Sequence, residues 1–183
     1  MTTDPGKSSA SILDPPPPSF LRSPRPDLPY SPFEPTSLSS LSDGLGQGFP
    51  QLPPQSRDVP HPFVTHDVSE EDWRIFLFTV KSASAHFDAA ISSAGNRRVG
   101  LLGTLVSMGI EQATKGKKAG AVGDLVDQWN LNFFLRRQMT VVLARGKTAY
   151  NGSAGAGPHD MTTNPVDGKW RLIIAYRPTE RGF

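Results

Sequence analysis

The sequence predicts an α+β domain in which three helices pack on a C-terminal antiparallel β-hairpin, behind a disordered proline-rich arm. Two segments, 70–95 and 121–137, repeat apolar residues at helical spacing. Two later segments, 139–145 and 169–176, alternate their side chains in the β-branched style of half-buried strands. Fifteen of the 18 prolines fall within residues 1–62, which marks a boundary before the folded part.

Residues 1–62 lack any sustained hydrophobic period. The run Pro15 to Pro18 favours polyproline II, and the other prolines interrupt helices and central strands. We therefore expect a disordered tail, either solvated or docking on another surface through its scattered aromatic residues. Ser23-Pro24 and Ser31-Pro32 carry the two-residue signal of proline-directed kinases.

The first predicted helix begins at a capping box, because Ser69 and Asp72 stand three residues apart before an apolar run. Its main apolar face starts at Trp73. Ile75 and Phe78 lie outside that face, so they either contact a second layer of the same protein or meet a partner.

The second predicted helix, Val99–Ile110, has twelve residues and no charge, which is too short to cross a bilayer. Basic residues flank it, as in segments that lie against anionic headgroups. A core helix with a solvated basic turn is the alternative. The expected contact residues, for a partner or a membrane, are Arg97, Arg98, Leu101, Leu102, Leu105, Val106, Lys115, Lys117 and Lys118.

The third predicted helix follows a glycine-containing hinge at Gly116–Gly123. It presents one apolar face, and with the first helix it should supply the structural anchors of the core, Trp73, Trp129, Phe133 and Phe134. Two strands follow, separated by a glycine-rich loop at 146–168 that we expect to be flexible. A hairpin alone is marginally stable, so it should lie on the first and third helices.

No recognisable catalytic or metal-binding pattern is present. The chain has no cysteine, and its four histidines, His61, His66, His86 and His159, lack metal-ligand spacing. Asp124 and Asp127 are three residues apart on a helix and should form its solvated face. The net charge of +2 is too small for a dedicated nucleic-acid binder. We expect neither a cofactor nor an enzyme.

Several motifs together resemble an uncharacterised family common in basidiomycete fungi. They include the tail motif Pro-Pro-Pro-Pro-Ser-Phe, the run Pro60–Val68, and Glu71-Asp72-Trp73. Further along, the resemblance covers Trp129-Asn130, Phe133-Phe134, Arg136-Arg137, Val142–Gly146 and Lys169–Leu172. This family implies no function.

The order of elements is also similar, more distantly, to the golgin-related accessory subunits of the Ras palmitoyltransferase. The matching residues are Gln128, Asn130, Phe133, Phe134 and Arg136 or Arg137. Leu135 and Gln138 replace a proline and a glycine of that family, and its central cysteines are absent. The resemblance implies a protein that binds and stabilises a membrane-embedded acyltransferase, without attachment by acylation of this chain.

These observations predict a non-enzymatic adaptor that binds another protein, which could be membrane-embedded, at an intracellular membrane surface. A soluble interaction module acting through the proline-rich arm is the second hypothesis, and an enzyme of unidentified class is the third. The expected location is cytoplasmic, with or without peripheral attachment to an internal membrane, since no secretory signal opens the sequence.

Overall fold

The fold combines helices with one antiparallel sheet. The structure is a computed structural model that describes residues 11–95, 119–151 and 168–179. For residues 87–95 it describes the main chain only. The strands are β1 (Thr36–Ser39), β2 (Met139–Arg145), β3 (Thr148–Ala149) and β4 (Trp170–Tyr176). Across the sheet they lie in the order β1-β4-β2-β3. The described helices include α1 (Pro18–Leu21), α2 (Pro62–Thr65), α3 (Glu70–Gly95) and α4 (119–129). The predicted α+β class is confirmed.

The two C-terminal strands pair antiparallel, as predicted, but they form the centre of a four-stranded sheet and not a separate hairpin. Strands β2 and β4 pair antiparallel over seven residues, from Met139↔Tyr176 to Arg145↔Trp170. One face of the pair joins the main hydrophobic core. The opposite face carries a smaller cluster formed by Val142, Ala144 and Ile173. Both faces are therefore buried.

Helix α3 begins at the predicted capping box. The Ser69 Oγ accepts a hydrogen bond from the Asp72 amide at 3.1 Å, and the Asp72 carboxylate accepts one from the Ser69 amide at 3.0 Å. These two bonds satisfy amides that have no partner within the helix. Of the two residues outside the apolar face, Ile75 packs against the core, whereas Phe78 is 67 % exposed.

Helix α4 starts earlier than predicted. Residues 119–123 are helical, so the expected hinge is wrong for that part, and residues 116–118 lie outside the described ranges. Gly123 has a packing role, because a Cβ at this position would lie 2.1 Å from the carbonyl oxygen of Tyr150. Glycine at 123 thus allows the helix backbone to approach the segment after β3 closely.

The continuation of α4 is wound differently from the single helix that the periodicity predicted. A π-helical turn (Asn130–Phe134) and a 3-10 turn (Leu135–Arg137) follow, and Gln138 ends them in a left-handed conformation. The neighbours Phe133 and Phe134 are both fully buried, with ring centroids 5.1 Å apart. The π-helical turn lies where these two consecutive rings are both buried, and π turns are often found at such irregular positions within helices.

The prediction of a disordered arm is wrong for residues 11–62. Strand β1, within that segment, pairs antiparallel with β4 from Thr36↔Ile174 to Ser39↔Arg171. Leu45 and Phe49 are buried in the main core. These apolar residues stand singly, without a period, so a local pattern does not reveal them. Non-local contacts provide the energy that offsets the entropy of ordering the segment.

The predicted loop at 146–168 falls largely outside the described residues. The part that the structure describes begins with a turn at Gly146 and with β3, which pairs with the end of β2. Asn151 follows and is buried. The prediction for 152–167 stays untested.

Candidate functional site

The centre of the core is a cluster of aromatic rings around Trp129. Its indole nitrogen donates to the Thr79 hydroxyl at 2.9 Å, so the one polar atom of the ring is satisfied. Phe76 lies 5.4 Å away in an edge-to-face arrangement, and Phe20 from the arm lies 4.8 Å away. The predicted anchors Trp73, Trp129, Phe133 and Phe134 are all buried. This cluster joins the arm to helices α3 and α4.

A group of four charged residues, the arginine–aspartate cluster, consists of Arg22, Asp67, Asp72 and Arg137. Arg22 comes from the arm and reaches both carboxylates, at 2.6 Å to Asp67 and 2.5 Å to Asp72. It also donates to the main-chain carbonyl of Asp67 at 2.7 Å. Two arginines and two aspartates balance in formal charge, which reduces the cost of burying them together.

Arg137 lies at the base of the arginine–aspartate cluster and is fully buried. It donates to three main-chain carbonyls, those of Asp67 at 2.9 Å, Arg22 at 3.0 Å and Phe133 at 3.2 Å. Its guanidinium lies 3.8 Å from the centroid of the Phe133 ring, as in a cation–π contact. Burial lowers the pKa of Arg137, and repulsion from Arg22 adds to that effect.

Three non-glycine residues with positive φ have contacts in the same region. They are Tyr30 at 46°, Asp67 at 57° and Gln138 at 56°. The Tyr30 amide donates to Thr65, two residues before Asp67, and Gln138 follows Arg137 directly. Each such conformation carries a cost that the surrounding contacts must offset, and residues of this kind concentrate at functional sites. Asp67 belongs to the arginine–aspartate cluster and Gln138 is adjacent to Arg137, so the contacts of this region must hold two such backbone conformations.

His66 is the only histidine that the described residues bury completely. Its Nδ1 is 3.0 Å from the Pro62 carbonyl, and its Nε2 has no hydrogen-bond partner. The rings of Tyr30, Phe33 and Tyr176 meet it edge-on. Burial lowers the pKa of His66, against the opposing effect of the Pro62 carbonyl. The imidazole thus lies among rings with the Thr65 hydroxyl 2.9 Å from its Nδ1, and burial favours its neutral form.

Strand β1 forms an edge of the sheet. Ser40 donates its amide to the Trp170 carbonyl at 2.8 Å, so every second residue of β1 bonds to β4. The intervening residues, Ser37 and Ser39, therefore turn their amides and carbonyls away from β4. A groove of about 370 Å³ runs beside this edge and is lined by Glu34, Pro35, Thr36, Ser37, Gln55, Ser56 and Arg57.

Beyond β3, side-chain amides bond to the side of β2 that faces away from β4. Asn130 both accepts from the Val141 amide and donates to its carbonyl, each at 2.8 Å. Asn151 accepts from the Leu143 amide at 2.7 Å and donates to the Val141 carbonyl at 2.9 Å. These main-chain groups of Val141 and Leu143 thereby have partners without another strand.

The residues considered for catalysis do not come together within the described ranges. No group of three or more potential metal-ligating side chains occurs there. His61 caps α2 by accepting from the Phe63 amide, and His86 is exposed. Asp124 is exposed, whereas Asp127 accepts a hydrogen bond from Asn151 at 3.1 Å. In the part of the chain that the structure describes, His61, His86, Asp124 and Asp127 therefore have separate surroundings.

The predicted contact element lies outside the described residues. This holds for the second helix, Val99–Ile110, and for all nine residues expected to touch a partner or a membrane. None of the helices that the structure describes is long and apolar enough to cross a bilayer.

Sequence reasoning missed the arginine–aspartate cluster and the open edge of β1. Cations such as Arg136 and Arg137 are common at the C-terminal end of a helix without being buried, but Arg137 is buried. The family resemblance singled out three runs that contain members of the cluster, but nothing in them indicated that these residues meet. They are Pro60–Val68, Glu71-Asp72-Trp73 and Arg136-Arg137. No local signal distinguished β1, because Thr-Ser-Leu-Ser amid prolines has no strand pattern of useful length.

The fold and site define an α+β domain whose proline-rich segment is built into its sheet and held by buried charge. The chain belongs to the family described as "Domain of unknown function (DUF4646)", whose model matches residues 17–137. That match begins inside the proline-rich segment and ends at Arg137, so it includes all four members of the arginine–aspartate cluster.

The chain is also similar to an uncharacterised protein of Schizosaccharomyces pombe, with 28% identity over 129 residues. The match covers 68% of this chain and 50% of the relative, so the chain spans about half the length of the relative that it matches. These findings support the resemblance to an uncharacterised fungal family. No solved structure matches the chain.

Proposed function

We propose that this protein is a non-enzymatic interaction protein that binds an extended segment of another protein along the open edge of β1. The observation that carries the proposal is the pairing register of β1, which leaves the main-chain groups of Ser37 and Ser39 directed away from β4. A chain laid beside them would gain main-chain hydrogen bonds and add a fifth strand, the mode known as β-augmentation.

The groove beside β1 supports this mode. Its walls come from two parts of the arm, the edge segment beginning at Glu34 and the segment that ends at Arg57. The walls are tied together, since the Thr36 hydroxyl donates to the Gln55 carbonyl and the Glu34 amide donates to Asp58 at 3.2 Å. An extended peptide therefore meets a preformed channel, and it pays less ordering entropy than it would at a loose loop.

The lining indicates the chemistry of the bound segment. The groove carries one carboxylate, one guanidinium and several hydroxyl and amide groups, with no large apolar side chain. Main-chain bonds would supply the affinity, and polar side chains of the ligand would pair with Glu34 and Arg57. A second cavity, of about 230 Å³, includes Val59 and several prolines in its lining and could take an apolar residue.

A photo-crosslinking amino acid at Arg57, in the full chain in its native cell, tests this proposal. The expected result is a discrete covalent adduct with one protein, absent when the same reagent replaces Glu71 on the exposed side of α3. Ser37→Pro should abolish the adduct, because proline removes an outward-facing amide while the bonds of Thr36 and Leu38 to β4 remain.

Two results would contradict the proposal. One is an adduct at Arg57 that persists unchanged in the folded Ser37→Pro protein. The other is an adduct only with a second copy of this chain, which would indicate self-pairing of β1 in place of adaptor function. Thermal melting of Ser37→Pro provides the check that the variant is folded.

The membrane-associated version of the adaptor rests on the sequence of residues 97–118. Twelve uncharged residues between basic flanks support it, and the golgin-related resemblance suggests a membrane-embedded partner. Membrane fractionation tests this version. Changing Lys115, Lys117 and Lys118 to Glu should move the protein from the membrane fraction to the soluble fraction. A protein that is wholly soluble before and after the change would overturn the membrane version and leave the β1 proposal intact.

A further inference from the structure

We infer that Ser23 is a phosphorylation site for a proline-directed serine kinase, and that the phosphate releases Arg22 from the arginine–aspartate cluster. Two Ser-Pro pairs occur in the described arm, Ser23-Pro24 and Ser31-Pro32, and both serines are exposed. The difference between their surroundings selects Ser23 as the site with a structural consequence.

Ser23 has the local backbone that a kinase requires. Helix α1 ends at Leu21, and Arg22 already has extended dihedral angles, φ −83° and ψ 115°. Ser23 itself belongs to no helix or strand, and the following proline restricts it to extended conformations. A kinase can therefore bind this segment in its extended substrate groove without unfolding a secondary-structure element.

The chain on both sides of Ser23 is attached to the same carboxylate. The Arg22 guanidinium lies 2.6 Å from the Asp67 carboxylate, and the Arg25 amide donates to the same oxygen at 3.3 Å. Arg22 also bonds to Asp72 at 2.5 Å. Ser23 thus lies in a short segment, Arg22–Arg25, whose two end residues both bond to the Asp67 carboxylate.

A phosphate on Ser23 would disturb this bridge through charge. At neutral pH it adds a charge of about −1.5 to −2 and three strong acceptor oxygens, one residue from Arg22. It would compete with Asp67 and Asp72 for the Arg22 guanidinium and would repel both carboxylates. Arg22 can follow the phosphate because its side chain is 36% exposed, whereas Arg137 cannot, because its side chain is 0% exposed.

The chemical step is ordinary phosphoryl transfer from ATP. The Ser23 Oγ forms a bond to the γ-phosphorus, the bond from that phosphorus to the bridging oxygen of ADP breaks, and the hydroxyl proton passes to the base of the kinase. The kinase supplies the base and the bound ATP, so the protein contributes only the exposed hydroxyl and its flanking proline.

Ser31 provides a matched comparison within the same arm. It is exposed and precedes Pro32, but its neighbour Tyr30 is attached through its amide to Thr65 and through its hydroxyl to the Arg25 carbonyl. Neither attachment is an ion pair. A phosphate at Ser31 should therefore leave the arginine–aspartate cluster intact.

The test treats the full chain with a purified proline-directed kinase and Mg-ATP and maps the phosphate by mass spectrometry. The parallel samples are Ser23→Ala and Ser31→Ala. We expect phosphate on Ser23, a melting temperature lower by about 2 to 5 °C, and faster hydrogen exchange in residues 18–25. Ser23→Ala phosphorylated at Ser31 should show neither change, and Arg22→Met should exchange faster already and gain nothing further from phosphate on Ser23.

Two results would overturn the inference. The first is the absence of phosphate on Ser23 under conditions in which the kinase modifies a control Ser-Pro peptide. The second is phosphate on Ser23 with an unchanged or raised melting temperature and unchanged exchange, which would mean that the phosphate does not draw Arg22 away from Asp67 and Asp72.

Discussion

Two parts of the core hold the arm in different ways, and their contrast shows what each kind of contact requires of the sequence. Around Trp129, apolar rings from the arm and two helices pack at centroid distances of about 5 Å. In the arginine–aspartate cluster, Arg22 and Arg137 hold Asp67 and Asp72 through hydrogen bonds and ion pairs. The rings around Trp129 stay in contact if their orientations change slightly. The arginine–aspartate cluster is stable only if each donor keeps the distance and angle of a hydrogen bond to its acceptor.

The largest expected effect is the loss of the Trp129 ring. Trp129→Ala should lower the free energy of unfolding by about 3 to 5 kcal/mol, because it opens a cavity among buried rings and removes the hydrogen bond that the indole donates to the Thr79 hydroxyl. Denaturant unfolding of the purified protein measures this difference. Leu131→Ala is the control, since Leu131 lies two residues away and is 56 % exposed. Equal stabilities of the two variants would contradict the central role of the ring cluster.

The next effect should come from the buried cation. Arg137→Met removes the donor to three main-chain carbonyls and one partner of Asp67, so we expect the free energy of unfolding to fall by about 3 kcal/mol. Arg136→Met is the matched control, because Arg136 is exposed and makes one long hydrogen bond, 3.4 Å to the Phe20 carbonyl. If Arg137→Met were as stable as Arg136→Met, the charged cluster would contribute less than the ring cluster by a wide margin.

Arg22→Met should lower the free energy of unfolding by less than Arg137→Met. The difference separates the two arginines of the arginine–aspartate cluster. Arg22→Met leaves Asp67 with Arg137, and solvent reaches part of the site, so the expected loss is about 1 to 2 kcal/mol. The loss should shrink in high salt, since a partly exposed ion pair is screened. Arg25→Met should change nothing measurable, because its pair with Asp27 is exposed on both sides. A salt-independent loss at Arg22 would indicate packing in place of charge.

The smallest effect is the dependence of stability on acid. Burial lowers the pKa of His66, so the unfolded chain binds a proton there first and stability falls as the pH drops below about 6.5. At Asp72 burial alone would raise the pKa, but hydrogen bonds from Ser69 and Arg22 lower it overall, so a second loss begins below about 3.8. Urea unfolding measured from pH 7 to pH 3 should show both steps, and His66→Phe should remove only the first. A single step that His66→Phe leaves unchanged would contradict this assignment.

The contrast also explains which parts of the structure could be predicted from the sequence. Helix α3, its capping box and the two central strands follow from periods of a few residues, and the anchors Trp73 and Trp129 lie on those periods. Asp67 and Arg137, by contrast, meet across 70 residues, and Arg22 and Asp72 across 50. No local pattern encodes a pairing at that separation, so the arm looked disordered although its contacts hold it in place.

Features of the candidate site also differ in whether the sequence could predict them. Phe78 could be singled out because it interrupts a helical face, and it is exposed. The open edge of β1 could not be predicted, because the register with β4 determines which of its main-chain groups face outward, and Thr-Ser-Leu-Ser alone does not reveal that register. The two side-chain amides that bond to β2, Asn130 and Asn151, could not be predicted either, since each bonds to a residue eight to eleven positions away.

The two sides of the sheet differ in what they offer a further strand. At β1 the main-chain groups of Ser37 and Ser39 face away from β4, whereas on the outer side of β2 Asn130 and Asn151 already bond to main-chain groups. Pairing of β1 with one guest strand, or with β1 of a second molecule about a twofold axis, uses up the β1 edge, so either assembly has a fixed stoichiometry.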